Sequence, residues 1–164
     1  MPTLLLAQAD FYASYAFSQA DTLRGMLRAE RTCYDVYFYE IDISIDPAQR
    51  SLQGWVDLYF TAQTNFKRLQ IDLYDNMQID RIEFEQQNLE YERIHNAVFI
   101  DFPLIQKGQL EQFRIHYRGQ PQIAKNPPWE GGFVWSKDEQ GQDWIGVSCE
   151  GDGASLWWPN KDHL

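Results

Sequence analysis

The chain has 164 residues and a formal net charge of −10 at pH 7, from 24 acidic and 14 basic side chains. That balance argues against duplex nucleic acid as a partner, because such binding rests on Lys and Arg neutralising phosphates, and no apolar run is long enough to span a bilayer as a helix. With 44% hydrophobic and 23% charged residues the composition is that of a globular domain with its own core.

The first twenty residues stand apart. Leu4-Leu5-Leu6-Ala7 opens an apolar stretch that runs to Phe17, and small residues at Ala16, Ser18 and Ala20 suit a signal-peptidase site. The basic start of a secretory signal is missing and Asp10 interrupts the apolar part. Residues 1–20 are read as a clipped export signal, which points to a periplasmic or cell-surface protein; the alternative is a short helix packing on the domain.

From Cys33 onward the hydrophobic period is two. Tyr37, Tyr39, Ile41, Ile43 and Ile45 alternate with Phe38, Glu40, Asp42, Ser44 and Asp46, the pattern of a half-buried strand. Residues 47–51 read as a hairpin turn, and the return strand puts Leu52, Val56, Leu58 and Phe60 on one face. A third strand sets Leu69, Ile71 and Leu73 against Gln70 and Asp72. In a fourth, Met77 and Ile79 are followed by Ile82 and Phe84, so the apolar phase slips at Asp80-Arg81 as a β-bulge requires. Residues 89–94 and 97–102 form a further pair, and Phe113, Ile115 and Tyr117 mark another strand. A loop rich in Pro and Gly spans 119–132, and a last hairpin joins residues 133–135 to 144–149. Residues 21–164 are therefore one all-β domain, an antiparallel sandwich or curved saddle-like sheet.

Catalytic constellations are scarce. His95, His116 and His163 each lack a second His or Cys at ligand spacing, and H-E-x-x-H, G-x-S-x-G, P-loop and G-x-G-x-x-G patterns are all missing. His116 alternates with apolar residues and reads as a solvated side chain. The two cysteines, Cys33 and Cys149, form neither a disulfide framework nor a CxxC metal pair, and neither Cys149 nor Ser148 has a base nearby in sequence. Asp42, Asp46, Asp57, Asp72, Asp80, Glu83 and Glu85 fall on strand positions expected to be wet. No metal is expected to be bound by this chain.

The end of the chain is different. Cys149-Glu150-Gly151-Asp152-Gly153 combines two carboxylates with two glycines, and Trp157-Trp158-Pro159 follows. Two tryptophans and a proline make a sticky surface if they face water. They are expected to pack against further chain beyond residue 164, unless they close the domain's own core.

The string Gly153-Ala154-Ser155-Leu156-Trp157-Trp158-Pro159-Asn160-Lys161-Asp162-His163 resembles a stretch near the end of the N-terminal domain in bacterial zinc aminopeptidases of the aminopeptidase N-like (gluzincin) family. Leu23-Arg24-Gly25, the run from Arg28 to Val36 that leads into Tyr39 to Pro47, the Gly54 strand and His116-Tyr117-Arg118-Gly119-Gln120-Pro121 resemble earlier parts of that domain, so the resemblance extends over residues 21–164. It implies a saddle-like β domain that precedes a thermolysin-like catalytic domain, with the zinc ligands and general base in that later domain. The implied parent enzyme removes amino-terminal residues from peptides, and this domain walls one side of the cleft. One role is implied for this chain: Glu150 matches the position that binds the substrate's free α-amine, an anion suited to an ammonium, whereas no role is carried onto Asp152. Trp157, Trp158 and Pro159 are the implied interdomain contact.

A different class of function fits the composition as well. In a secreted β-sandwich binding module, Trp129, Trp135 or Trp144 would stack on sugar rings.

Overall fold

The computed structural model describes residues 16–162. The apolar run that opens the presumed signal and His163 lie outside the described residues. Among the described residues, ten strands, two short α-helices and a final 3-10 turn follow one another: α1 (Gln19–Gly25), α2 (Ala29–Thr32), β1 (Tyr34–Asp46), β2 (Ser51–Ala62), β3 (Phe66–Asp72), β4 (Met77–Phe84), β5 (Gln87–Asn88), β6 (Tyr91–Ile94), β7 (Ala97–Ile105), β8 (Leu110–Gly119), β9 (Gly132–Lys137), β10 (Asp143–Ser148) and the 3-10 turn Ala154–Leu156. All strand pairs are antiparallel. One sheet has the order β1-β2-β8-β4-β5, a second β3-β7-β6, and β9 pairs with β10. No helix among the described residues is long and apolar enough to cross a membrane.

The period-two reading explains the core. Val56, Leu58 and Phe60 of β2 and Phe113, Ile115 and Tyr117 of β8 form the inner face of the first sheet; Leu69 and Ile71 of β3 and Val98, Ile100 and Phe102 of β7 belong to the same buried cluster from the second. Phe102 meets Phe60, Phe66, Phe84 and Phe113 edge-on, with centroids 5.2–6.4 Å away. The predicted bulge lies where β4 slips against β8, between Ile79 and Arg81.

Three sequence expectations are corrected. Gln70 and Asp72 of β3, and Asp57 of β2, are buried instead of wet. For β3 the reason is a third layer: α1 and α2 cover the outer face of the second sheet, and Leu23 packs there on Ala97 and Phe99. For Asp57 the reason is Arg114, which donates from Nε and Nη2 to both carboxylate oxygens at 2.6 Å and lies 3.6 Å over the Trp55 ring. His116 is not solvated either; its Nε2 sits 2.8 Å from Glu83 and 2.9 Å from Arg81. Conversely β1, expected to be half-buried, leaves Ile41 and Ile45 exposed although they oppose Val56 and Leu52, and a bulge between Val36 and Phe38 puts Tyr37 and Phe38 on the outer face, where both are exposed.

Ser18 caps α1 through a capping box with Asp21, so residues 18–20 belong to a folded element. A cut after Ala20 would remove that cap, whereas a cut after Ala16 would keep it.

Candidate functional site at the end of the chain

The segment after β10 is built from close backbone approaches. β10 ends at Ser148, opposite Gly132 of β9. Gly151 and Gly153 have φ of 77° and 78°, the left-handed region that side chains disfavour. Between them Asp152 turns inward: Oδ2 accepts the Gly131 N–H at 2.8 Å and Oδ1 the Tyr74 hydroxyl at 3.2 Å. A Cβ on Gly131 would collide with that carboxylate and with the Ser148 carbonyl, which explains the glycine. Arg24 of α1 donates to the Gly151 carbonyl at 2.8 Å.

Glu150 is left at the tip of this turn. It is exposed and makes no hydrogen bond or ion pair among the described residues. The two carboxylates of the Glu-Gly-Asp-Gly run thus have opposite fates, Asp152 tying the loop down and Glu150 pointing to solvent. Beside the turn lies a cleft of about 730 Å³ lined by Arg24, Leu27, Cys149, Gly151, Gly153 and Asp162 among others; Glu150 flanks this lining without being part of it.

The rest of the segment is sewn to the sandwich. Asn160 exchanges two backbone bonds with Asp72, and the Tyr74 N–H donates to the Ser155 carbonyl. The Ser155 hydroxyl donates to Asp162 at 2.8 Å, the Lys161 N–H to the Tyr39 hydroxyl at 2.9 Å, and Lys161 Nζ to the Tyr34 carbonyl at 2.7 Å. Under it, Arg31 Nη2 reaches Asp72 at 2.6 Å and Nη1 the Asp162 carbonyl at 2.8 Å, while Gln70 and Arg31 both donate to the Leu23 carbonyl. Burial pushes the Asp72 carboxyl up to about 6, although the Arg31 charge pulls the other way. The Tyr39 hydroxyl is pushed up to about 12, also by burial.

Trp157 and Trp158 are half-buried and pack on the core: Trp157 lies edge-on to Phe133 at 5.8 Å, and Trp158 edge-on to Tyr39 at 4.9 Å. Pro159 is buried. These rings therefore serve the domain's own core, with part of each surface still open.

Of the other singled-out residues, Trp129 is 71% and Trp144 66% exposed, whereas Trp135 stacks on Phe133 at 5.3 Å with its indole N–H buried. Cys33 and Cys149 are both free thiols, and burial raises each, Cys33 to about 11. Among the described residues no three His, Cys, Asp or Glu side chains gather as a metal-ligand set. Sequence reasoning missed the Arg31–Asp72 pair and the anchoring role of Asp152. Neither has a local signal, since 41 residues separate the first pair and 21 separate Asp152 from Gly131.

No family profile and no protein of curated function matches the sequence. Solved structures match its fold. The M1 zinc metallopeptidase from Deinococcus radiodurans superimposes with a TM-score of 0.61 at 20% identity, over 80% of this chain and 30% of that one. A mutant of it bound to a Tyr-Ser-Ala substrate gives 0.59 at 20% identity, over 80% and 30%. Native leukotriene A4 hydrolase from Saccharomyces cerevisiae gives 0.62 at 11% identity, over 90% and 25%. The chain thus spans about 30% of the length of the metallopeptidase structures it matches, and it has the all-β fold found within M1 zinc metallopeptidases.

Proposed function

We propose that this chain is the non-catalytic N-terminal β domain of a zinc-dependent aminopeptidase, forming one wall of the cleft in which peptides lose their amino-terminal residues. The observation that carries this reading is the shared fold over 80% of the chain, which accounts for only 30% of the metallopeptidase it matches. The described residues offer no ligand set for zinc, so zinc would be held by a catalytic domain beyond these 164 residues. That domain is the proposed partner, covering the open parts of Trp157, Trp158 and neighbouring Pro159. Glu150 would hold the α-ammonium of the substrate. Its exposure leaves it free to do so, and the Asp152 bonds to Gly131 and Tyr74 keep its turn in place. Export is part of the same proposal.

The test uses the full-length natural protein and an aminoacyl anilide. A hydrogen bond to a charged group contributes about 1.5–3 kcal/mol, so Glu150→Ala is expected to raise KM roughly 10- to 100-fold while kcat and thermal stability change little. Glu150→Gln should recover part of the loss. Unchanged kinetic constants would remove the role from Glu150, and a full-length protein that hydrolyses no aminoacyl substrate would remove the whole reading.

A second reading, a carbohydrate-binding module, is favoured by the exposure of Trp129 and Trp144. Saturable quenching of tryptophan fluorescence by soluble oligosaccharides, lost in a Trp129→Ala/Trp144→Ala variant, would support it over the first.

A further inference from the structure

β1 lies at the edge of its sheet and is bonded to β2 along one side. From Val36 to Asp46 its other edge pairs with nothing among the described residues; only near its start does Lys161 reach a carbonyl, that of Tyr34. Proteins usually blunt such an edge with Lys, Pro, a bulge or short length. β1 is 13 residues long, contains no Lys, Arg or Pro, and has its one bulge near the start, between Val36 and Phe38. It is an open template for another strand.

The two faces of the strand specify what fits there. Ile41 and Ile45 oppose the buried residues Val56 and Leu52, so they share the inner face, yet both are exposed. On the outer face the bulge brings Tyr37 (58% exposed) and Phe38 (53% exposed) against Tyr59, at 6.4 and 5.4 Å between centroids. The Tyr59 hydroxyl donates to Glu40 at 3.4 Å. Asp42 follows on the same face, opposite Trp55. The Arg nearest this row, Arg114, is already engaged by both oxygens of Asp57. Glu40 and Asp42 therefore form no ion pair among the described residues.

We propose that the β1 edge accepts an extended segment of another protein in which basic and apolar side chains alternate. Backbone groups would continue the ladder. Basic side chains would meet Glu40, Asp42 and the faces of Tyr37, Phe38 and Tyr59, which attract cations. Apolar side chains would cover Ile41 and Ile45. A second copy of this chain fits poorly, because antiparallel pairing of two β1 edges would bring carboxylate rows together on molecules that each carry −10.

The experiment uses the full-length natural protein and a labelled seven-residue peptide of alternating Lys and Val. Its controls are the peptide with Glu for Lys, the peptide N-methylated at each Val, and a block isomer with all Lys before all Val. Saturable binding of the Lys–Val peptide is expected, together with slowed hydrogen exchange of β1 amides. Glu40→Lys/Asp42→Lys, both at exposed positions, should weaken it at least tenfold, as should N-methylation. Equal binding of the block isomer would reduce the effect to diffuse charge attraction and overturn the proposal. It is also overturned if the alternating peptide does not bind. Protection, in the free protein, of the β1 amides that point away from β2 would assign the edge to the protein's own chain or to a dimer, which sedimentation would tell apart; either result overturns it.

Discussion

Arg31 and Asp72 meet at 2.6 Å with both side chains almost wholly out of water. Breaking such a pair from one side leaves an uncompensated charge, at a cost of about 3–5 kcal/mol. Arg31→Met is therefore expected to destabilise the protein by about that amount at pH 7 in urea unfolding. The penalty should shrink in acid. Asp72 has a folded value of about 6, above its ordinary 3.8, so the folded state takes up a proton more readily than the unfolded chain. Its contribution to stability is therefore greatest below about pH 4 and is lost as pH rises through 6. Without Arg31 that value climbs further, so between pH 7 and pH 4 the gap between variant and wild type should narrow. Arg31→Met/Asp72→Leu should recover part of the loss at pH 7, because no buried charge then remains. A gap that is constant with pH would mean that the pair is not what Arg31 supports. The sequence showed both residues but not their meeting. A strand Asp between Ile71 and Leu73 reads as wet, and only the helices layered on β3 make it buried.

Among the elements, the β1–β2 hairpin was legible from Phe38 through the turn to Phe60, but the bulge between Val36 and Phe38, which takes Tyr37 off the face that alternation gave it, was not. Asp46 Oδ1 accepts the amides of Ala48 and Gln49 at 2.9 and 3.0 Å, which closes the turn at the predicted residues. Within β2, Gly54 lies opposite Ile43, and a Cβ there would run into the Asp42 carbonyl oxygen. Gly in a strand interior marks such a close approach. Gly54→Ala should force the two strands apart and cost about 1–3 kcal/mol by chemical denaturation. A neutral result would show that the hairpin can relax at that point. The β4 bulge was legible as well, because one extra residue inverts which positions are apolar. The exposure of β1 was not: alternation states that a face is apolar, not that another layer covers it.

For the molecule as a whole, two sheets share one cluster, and Phe102 touches aromatic rings from both of them. Phe102→Ala should remove about 3–5 kcal/mol in a single cooperative transition; separate unfolding of the two sheets would contradict one shared core. The terminal segment is bonded to β3, to Tyr39 of β1 and, through Arg24 and Arg31, to both helices. The surface around Glu150 is thus held by the whole sandwich, and Glu150 itself is the one carboxylate of its turn left unengaged. The sequence by itself determined the all-β class, the order and approximate place of the longer strands, the β4 bulge and the special status of residues 149–162. Each of these follows from period, glycine and turn chemistry within a few neighbouring residues. Only the tertiary structure decided which carboxylates are buried, that Trp157 and Trp158 serve the local core, that Asp152 anchors while Glu150 is exposed, and that β1 has no second partner strand among the described residues. Those outcomes depend on which surfaces meet after residues tens of positions apart are brought together, and the local pattern of polar and apolar residues carries no record of that.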